Sequence, residues 1–279
     1  MNFVDMDVSV RYNIYGFVRE REKGEVIKMS EKKPIYFEVC CGSAEDAIEA
    51  ARGGAQRVEL NSSMFHGGLT PTIGALRVVK KHTDIPVMCM VRPREGGFCY
   101  TDVEFEVMLE DARKLLENGA DGIVFGFLHE DGTVDAERTK AMLEVIGDKP
   151  SVFHRAIDVT PDPFAALDVL IELGVTRVLT SGQMPTVPQG ADTIRKMIEH
   201  AAGRIEILPG GGIEAHNAAW CRERIGTDML HAAVHRTAYD RSCQNNPAIY
   251  FGGCIYPPED RFQIADAEKI AEFRRLAEG

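Results

Sequence analysis

Three polar side chains, His154, Arg155 and Asp158, follow the apolar pair Val152-Phe153 with no turn residue between. An imidazole whose ordinary pKa lies near physiological pH can give or take a proton. A carboxylate four residues on can orient that ring, and a guanidinium can hold an oxyanion through paired N–H groups. The same residues could instead only tie a loop. Two similar groups occur at the ends of other apolar runs. Arg92 and Arg94, separated by one proline, follow the run ending at Val91 and precede Gly96-Gly97. Such a pair can clamp a carboxylate or phosphate, or neutralise buried carboxylates nearby. Thr180-Ser181-Gly182 and Gly210-Gly211-Gly212 close two further runs, and glycine-rich turns expose backbone N–H groups to anions.

These polar groups need elements to position them, and the chain supplies a regular alternation from Pro34 onward. Short apolar runs suited to strands cover Tyr36–Cys41, Gln56–Leu60, Pro86–Val91, Gly122–Phe127, Ser151–His154, Arg177–Thr180, Ile205–Leu208 and Asp228–Ala232. Between them lie amphipathic stretches of helical period with capping residues at their starts and glycines at their stops. The helices are expected at Ser43–Arg52, Pro71–His82, Asp102–Glu117, Asp135–Ile146, Asp162–Leu173, Ala191–Ala201, Ala215–Arg224 and Ala265–Ala277. Alternating strands and helices imply parallel pairing with right-handed crossovers. Eight such units favour closure into a (β/α)8 TIM barrel over an open doubly wound sheet. In such a barrel the reactive groups sit at the carboxyl ends of the strands.

Residue parity then selects the side chains that face the lumen, because alternate strand residues point inward and the others pack on helices. With Phe37, Val39, Val58 and Leu60 outward, Tyr36, Glu38, Cys40, Glu59 and Asn61 face in. Met88, Met90 and Arg92 share one face, and His231 turns inward if Leu230 packs outward. The expected site therefore gathers Glu38, Glu59, His154 and Asp158 as acid–base groups. Arg92, Arg94, Arg155, Ser181, Gly210, Gly211, Gly212 and His231 are placed around a bound anion. The arginines at 92, 94 and 155 are the expected counter-ions of Glu38 and Glu59, since an unpaired buried charge costs several kcal/mol.

Residues 1–33 stand outside this repeat. Val8, Val10, Tyr12 and Ile14 alternate with polar neighbours, and a second short run covers Val26–Met29, so the extension reads either as a β-hairpin or as an unstructured leader. The division is then 1–33 as an N-terminal extension and 34–279 as the barrel domain. The stretch from Asn245 to Pro258 is irregular, and Trp220 and Cys221 are expected in core or interface. A formal net charge of −11 over 279 residues argues against nucleic acid and anionic membrane as partners, both of which need a basic footprint. Seven scattered cysteines read as reduced thiols rather than a disulfide framework. With no apolar run of membrane-spanning length, the expected location is the cytoplasm.

Several ordered segments carry a specific likeness: FEVCCGS at 37–43, GGAQRVEL at 53–60, GGLTPT at 67–72, VRPREGGFCYTD at 91–102, ADGIVFG at 120–126, FHRAID at 153–158, RVLTSGQ at 177–183 and PGGGI at 209–213. In this order they resemble the CutC family, the copper homeostasis proteins. The resemblance implies a TIM barrel, a cytoplasmic homo-oligomer (dimer or tetramer) and the handling of copper as Cu(I). It also implies cysteine ligands at the ends of the first two strands. Cys40 matches the first position, whereas Asn61 stands where the second cysteine often lies. Thiolates suit Cu(I) and a carboxamide does not. The residues themselves describe a polar lumen suited to a small anionic metabolite, as an enzyme or a binding protein, so copper and an anion remain two readings of one site.

Overall fold

The structure is a computed structural model, and it describes residues 34–246, 248–251 and 261–279. The expected N-terminal hairpin lies outside these residues, as does most of the irregular stretch before Pro258.

Eight parallel strands are interleaved with eight helices: β1 (Tyr36–Cys41), α1 (Ala44–Arg52), β2 (Arg57–Leu60), α2 (Ile73–His82), β3 (Val87–Met90), α3 (Asp102–Glu117), β4 (Gly122–Phe125), α4 (Ala136–Ile146), β5 (Ser151–Phe153), α5 (Pro163–Leu173), β6 (Arg177–Thr180), α6 (Val187–Ala201), β7 (Glu206–Pro209), α7 (Ala218–Ile225), β8 (Met229–Ala232) and α8 (Ala267–Glu278). The strands follow sequence order around the sheet, and β8 returns to pair with β1. A single parallel bridge between Gly210 and His231 joins the last seam, between β7 and β8. This is the TIM barrel, and the doubly wound alternative is excluded by the β1–β8 pairing.

The local reasons are those expected of the sequence. Ser43 caps α1 by accepting from Asp46 N–H. Thr101 and Glu104 form a reciprocal capping box on α3. Asp162 caps α5 ahead of Pro163, where a missing N–H costs nothing. Some boundaries move. Helix α2 starts at Ile73 under a Thr72 cap, because Thr70 is engaged elsewhere: its Oγ1 accepts from Arg92 N–H at 3.0 Å. Helix α6 begins earlier than expected, at Val187, since Pro188 sits in the first turn, where the fixed φ of proline suits a helix.

Two cores result from the pleat. Outward-facing Phe37, Val39, Cys41, Leu60, Cys89, Ile123, Phe125 and Phe153 pack under the helices. Met88, Met90, Val124, Val152, Leu179 and Leu208 fill the lumen as a separate cluster. Below them the lumen is polar: Arg177 pairs with Glu206, and the Arg57 guanidinium lies 4.8 Å from the Tyr36 ring centre.

One feature departs from expectation: after β8 the chain forms an antiparallel ribbon of β9 (His235–Tyr239) with β10 (Arg261–Ala265), where the sequence reads as irregular. Of the pair expected in core or interface, Cys221 is buried in the core and Trp220, 50% exposed, lies outside it.

Candidate functional site

The carboxyl ends of the strands surround a cavity of about 580 Å³, lined among others by Cys40, Glu59, Met90, Arg92, His154, Arg155, Gly211 and His231. Its walls are built differently.

One wall comes from β1, β2 and β8. The register sets Glu38 opposite Arg57 and Cys40 opposite Glu59, and Glu38 also opposite His231. In-register neighbours on one face stand close enough to touch, so the pairing alone brings these five side chains together. Glu38, 2% exposed, lies beneath the cavity. It pairs with Arg57, and its Oε1 stands 2.7 Å from His231 Nδ1. Burial pushes the Glu38 carboxyl upward, but the hydrogen bond from His231 and the charges of Arg57 and His231 outweigh burial and hold it at about 2. An Nδ1–H committed to Glu38 leaves Nε2 as the ring nitrogen facing the cavity, 4.0 Å from Glu59 Oε2. Burial pulls the His231 pKa down, yet the Glu59 charge and the Glu38 hydrogen bond raise it overall. The Cys40 thiol stands 3.4 Å from Glu59 Oε2. Burial, reinforced by the Glu59 charge, raises its pKa well above the ordinary thiol value. Asn61 Nδ2 donates to Glu59 Oε2 at 2.9 Å. Glu59 Oε1 has no partner among the described residues.

Cys40, Glu59 and His231 each offer one ligand atom, and these atoms lie within 4.8 Å of one another. Their chemistry fits a metal: a thiolate and an imidazole suit copper, while the carboxylate, a hard ligand, would bring charge more than affinity. Glu38 fixes the ring of His231 as outer carboxylates fix ligand histidines. Asn61 holds Glu59.

The opposite wall comes from the segments after β5 and β7. His154 caps a short 3₁₀ turn, Arg155–Val159, its Nδ1 accepting from Ala156 N–H at 3.2 Å. That bond places the proton of the neutral ring on Nε2, which has no partner among the described residues. Burial, with the Arg92 charge behind it, lowers the His154 pKa to about 3, so the ring is neutral at physiological pH. It packs on Phe98 at 4.8 Å between ring centres and against Gly126, where a Cβ would stand 2.5 Å from the imidazole. Asp158 does not orient it. Asp158 accepts from Thr180 Oγ1 at 2.5 Å, from Ser181 N–H at 2.9 Å, from Gln183 N–H at 3.1 Å and from Arg155 Nε at 2.9 Å. It therefore fastens the turn after β5 to the loop after β6. Arg155 is held from both sides, since its Nη2 donates to Ser181 Oγ at 2.5 Å. Its Nη1 lies over Gly211, 3.2 Å from where a Cβ would stand.

Other expected roles change. Arg92, Arg94 and Arg155 are not the counter-ions of Glu38 and Glu59; Arg57, which sequence reasoning passed over although parity turns it inward, is that of Glu38. Arg92 instead binds three backbone carbonyls, His66 at 2.9 Å, Gly68 at 3.1 Å and Gly96 at 2.8 Å. Arg94 leaves the site altogether and pairs with Glu104 in the α3 cap. Ser181 is occupied with Asp158 and Arg155 and does not line the cavity. Met90 and Phe98 do line it; Met90 was legible from parity, Phe98 only from its loop.

The CutC family model matches residues 35–236. A CutC family protein of Treponema denticola is 53% identical over 86% of this chain and 98% of its own length. A human copper homeostasis protein cutC homolog is 41% identical over 94% of this chain and 97% of its own. A solved CutC structure from Streptococcus agalactiae, 32% identical, superposes with a TM-score of 0.68 over 71% of this chain and 98% of that one.

Proposed function

The chain belongs to the CutC family, and from that premise we propose that it serves copper homeostasis by taking a copper ion, as Cu(I), at Cys40, His231 and Glu59. The observation that supports this most directly is the convergence of those three ligand atoms within 4.8 Å, all on buried residues. Soft sulfur and imidazole nitrogen supply the affinity. The free nitrogen of His231 is turned toward the cavity by Glu38. Glu59 faces both the thiol and the ring; copper binding would release the Cys40 thiol proton to solvent, and the Glu59 carboxylate would balance the charge of the ion. Met90 adds a thioether to the same cavity. The family's expected second cysteine is replaced by a histidine from β8, so Asn61 does not disqualify the site.

Titration of Cu(I) against a competing chelator tests this. Cys40→Ser should weaken binding by more than roughly tenfold, whereas Cys89→Ser, in the layer under the helices, should bind as wild type. Equal affinity in wild type and Cys40→Ser would overturn the assignment. Among the described residues no helix is long and apolar enough to cross a membrane, which fits a protein working in the cytoplasm. Exposed Trp220, Tyr239 and Phe262 are compatible with self-association as a dimer or tetramer, which sedimentation would show.

A further inference from the structure

Copper occupies one side of the cavity in this reading and leaves the other unexplained. That other side holds more donors and positive charge than the fold itself consumes. Arg92 is 7% exposed, and no carboxylate among the described residues lies within ion-pairing distance of it. Three carbonyls satisfy three of its N–H groups, but carbonyls carry only partial charge, and its Nε has no partner among the described residues. A buried net charge of this kind is costly until an opposite charge arrives. Arg155 has one guanidinium edge spent on Asp158 and Ser181 and keeps Nη1 over Gly211. Gly211 and Gly212 have φ of 118° and 69°, a backbone that turns successive N–H groups toward one side. The N–H groups of Gly212 and Ile213 meet no protein acceptor among the described residues. His154, a residue 4% exposed, adds to the same cavity an Nε2–H without a partner among the described residues. Two carboxylates stand nearby. Asp158 is neutralised by Arg155 and four other donors, and Glu214 at the mouth is turned to His216, 3.4 Å away.

We infer that this half of the cavity binds the oxyanion of a small molecule, a carboxylate or a phosphate. The oxyanion is held by Arg155 Nη1 and the Gly211–Ile213 turn, its charge is balanced by Arg92, and a second oxygen of the ligand accepts from His154 Nε2. The volume of about 580 Å³ is that of a metabolite-sized pocket. The inference stands apart from copper: the anion side shares the cavity with Cys40, Glu59 and His231 but uses none of them.

The test is calorimetric titration of the full chain, without added copper, using inorganic phosphate and succinate separately, with chloride at matched ionic strength as the blank. Saturable binding of one or both probes is expected, and the tighter probe tells phosphate from carboxylate ligands. Arg155→Ala should weaken it by roughly tenfold or more, the value of a charge-assisted hydrogen-bond pair. Arg155→Lys, which keeps the charge but not the fork, should fall between and serves if the alanine variant does not fold. Arg94→Ala, outside the cavity, should bind as wild type. Absence of saturable binding of both probes, or equal affinity in wild type and both Arg155 variants, would overturn the inference. Because copper is absent, neither result depends on the fate of the metal site.

Discussion

The two walls of the cavity contrast in how they are made. The wall of β1, β2 and β8 consists of strand side chains in register, deeply buried, with Glu38 compensated by Arg57 and His231 from below. The wall after β5 and β7 consists of a 3₁₀ turn and a glycine turn, carries an arginine whose side chain is 42% exposed, and leaves backbone donors open. Register fixes the first wall to within the pleat. The second depends on tertiary clasps, above all the Asp158 carboxylate that joins two loops. A rigid, dry, sulfur- and nitrogen-bearing face suits an ion that needs fixed ligands. A face of arginine and backbone N–H groups suits an anion that must enter and leave.

The strongest way to break this contrast is Glu38→Ala. It leaves Arg57 and His231 buried without their shared carboxylate, and should cost about 3–5 kcal/mol of stability, read by urea unfolding. A loss under about 1 kcal/mol would mean that the first wall is not held from below. A smaller effect sharpens the picture of the second wall. Folded His154 titrates at about 3, below its unfolded value of about 6.5, so the unfolded chain takes up this proton first and stability falls as pH drops below 6.5. Glu38, held at about 2 against an ordinary 4.5, adds a loss of the same sign that begins only below 4.5. His231 is shifted the other way, and its contribution is complete below 6.5 and lost as pH rises through its folded pKa. Between pH 6.5 and 5 the His154 loss should therefore reach roughly 2 kcal/mol. His154→Gln should flatten that interval while sparing the loss below 4.5; an unchanged profile would show that the ring is not buried neutral. The smallest effect belongs to Arg94→Ala, which should leave copper affinity within about twofold of wild type, as expected of a site distant from the substitution.

Much of the first wall is legible in the sequence. Parity alone turned Glu38, Cys40, Glu59 and His231 into the lumen, and the strand order brought them together. Parity also turns Arg57 inward, and the sheet pairs it with Glu38, whereas Arg92, Arg94 and Arg155 lie past the strand ends. The second wall was legible only as an inventory. That His154 and Asp158 are four apart in sequence says nothing about a 3₁₀ turn that sends the carboxylate to the loop after β6. Arg94 illustrates the same limit: one residue pair from Arg92, it turns away because Glu104, at the third position of the next helix, offers it a partner. The β9–β10 ribbon is not legible in the sequence because its strands, paired antiparallel, are more than twenty residues apart.

The closure of the barrel bears on access. Every other joint in the ring is a ladder of two or more in-register pairs, whereas the packed strands β7 and β8 are hydrogen-bonded through a single bridge, Gly210 to His231. Those residues belong to opposite walls. The easiest line along which this ring can part therefore runs through the middle of its own binding chamber, and widening the doorway asks for the loss of one rung instead of a whole stave.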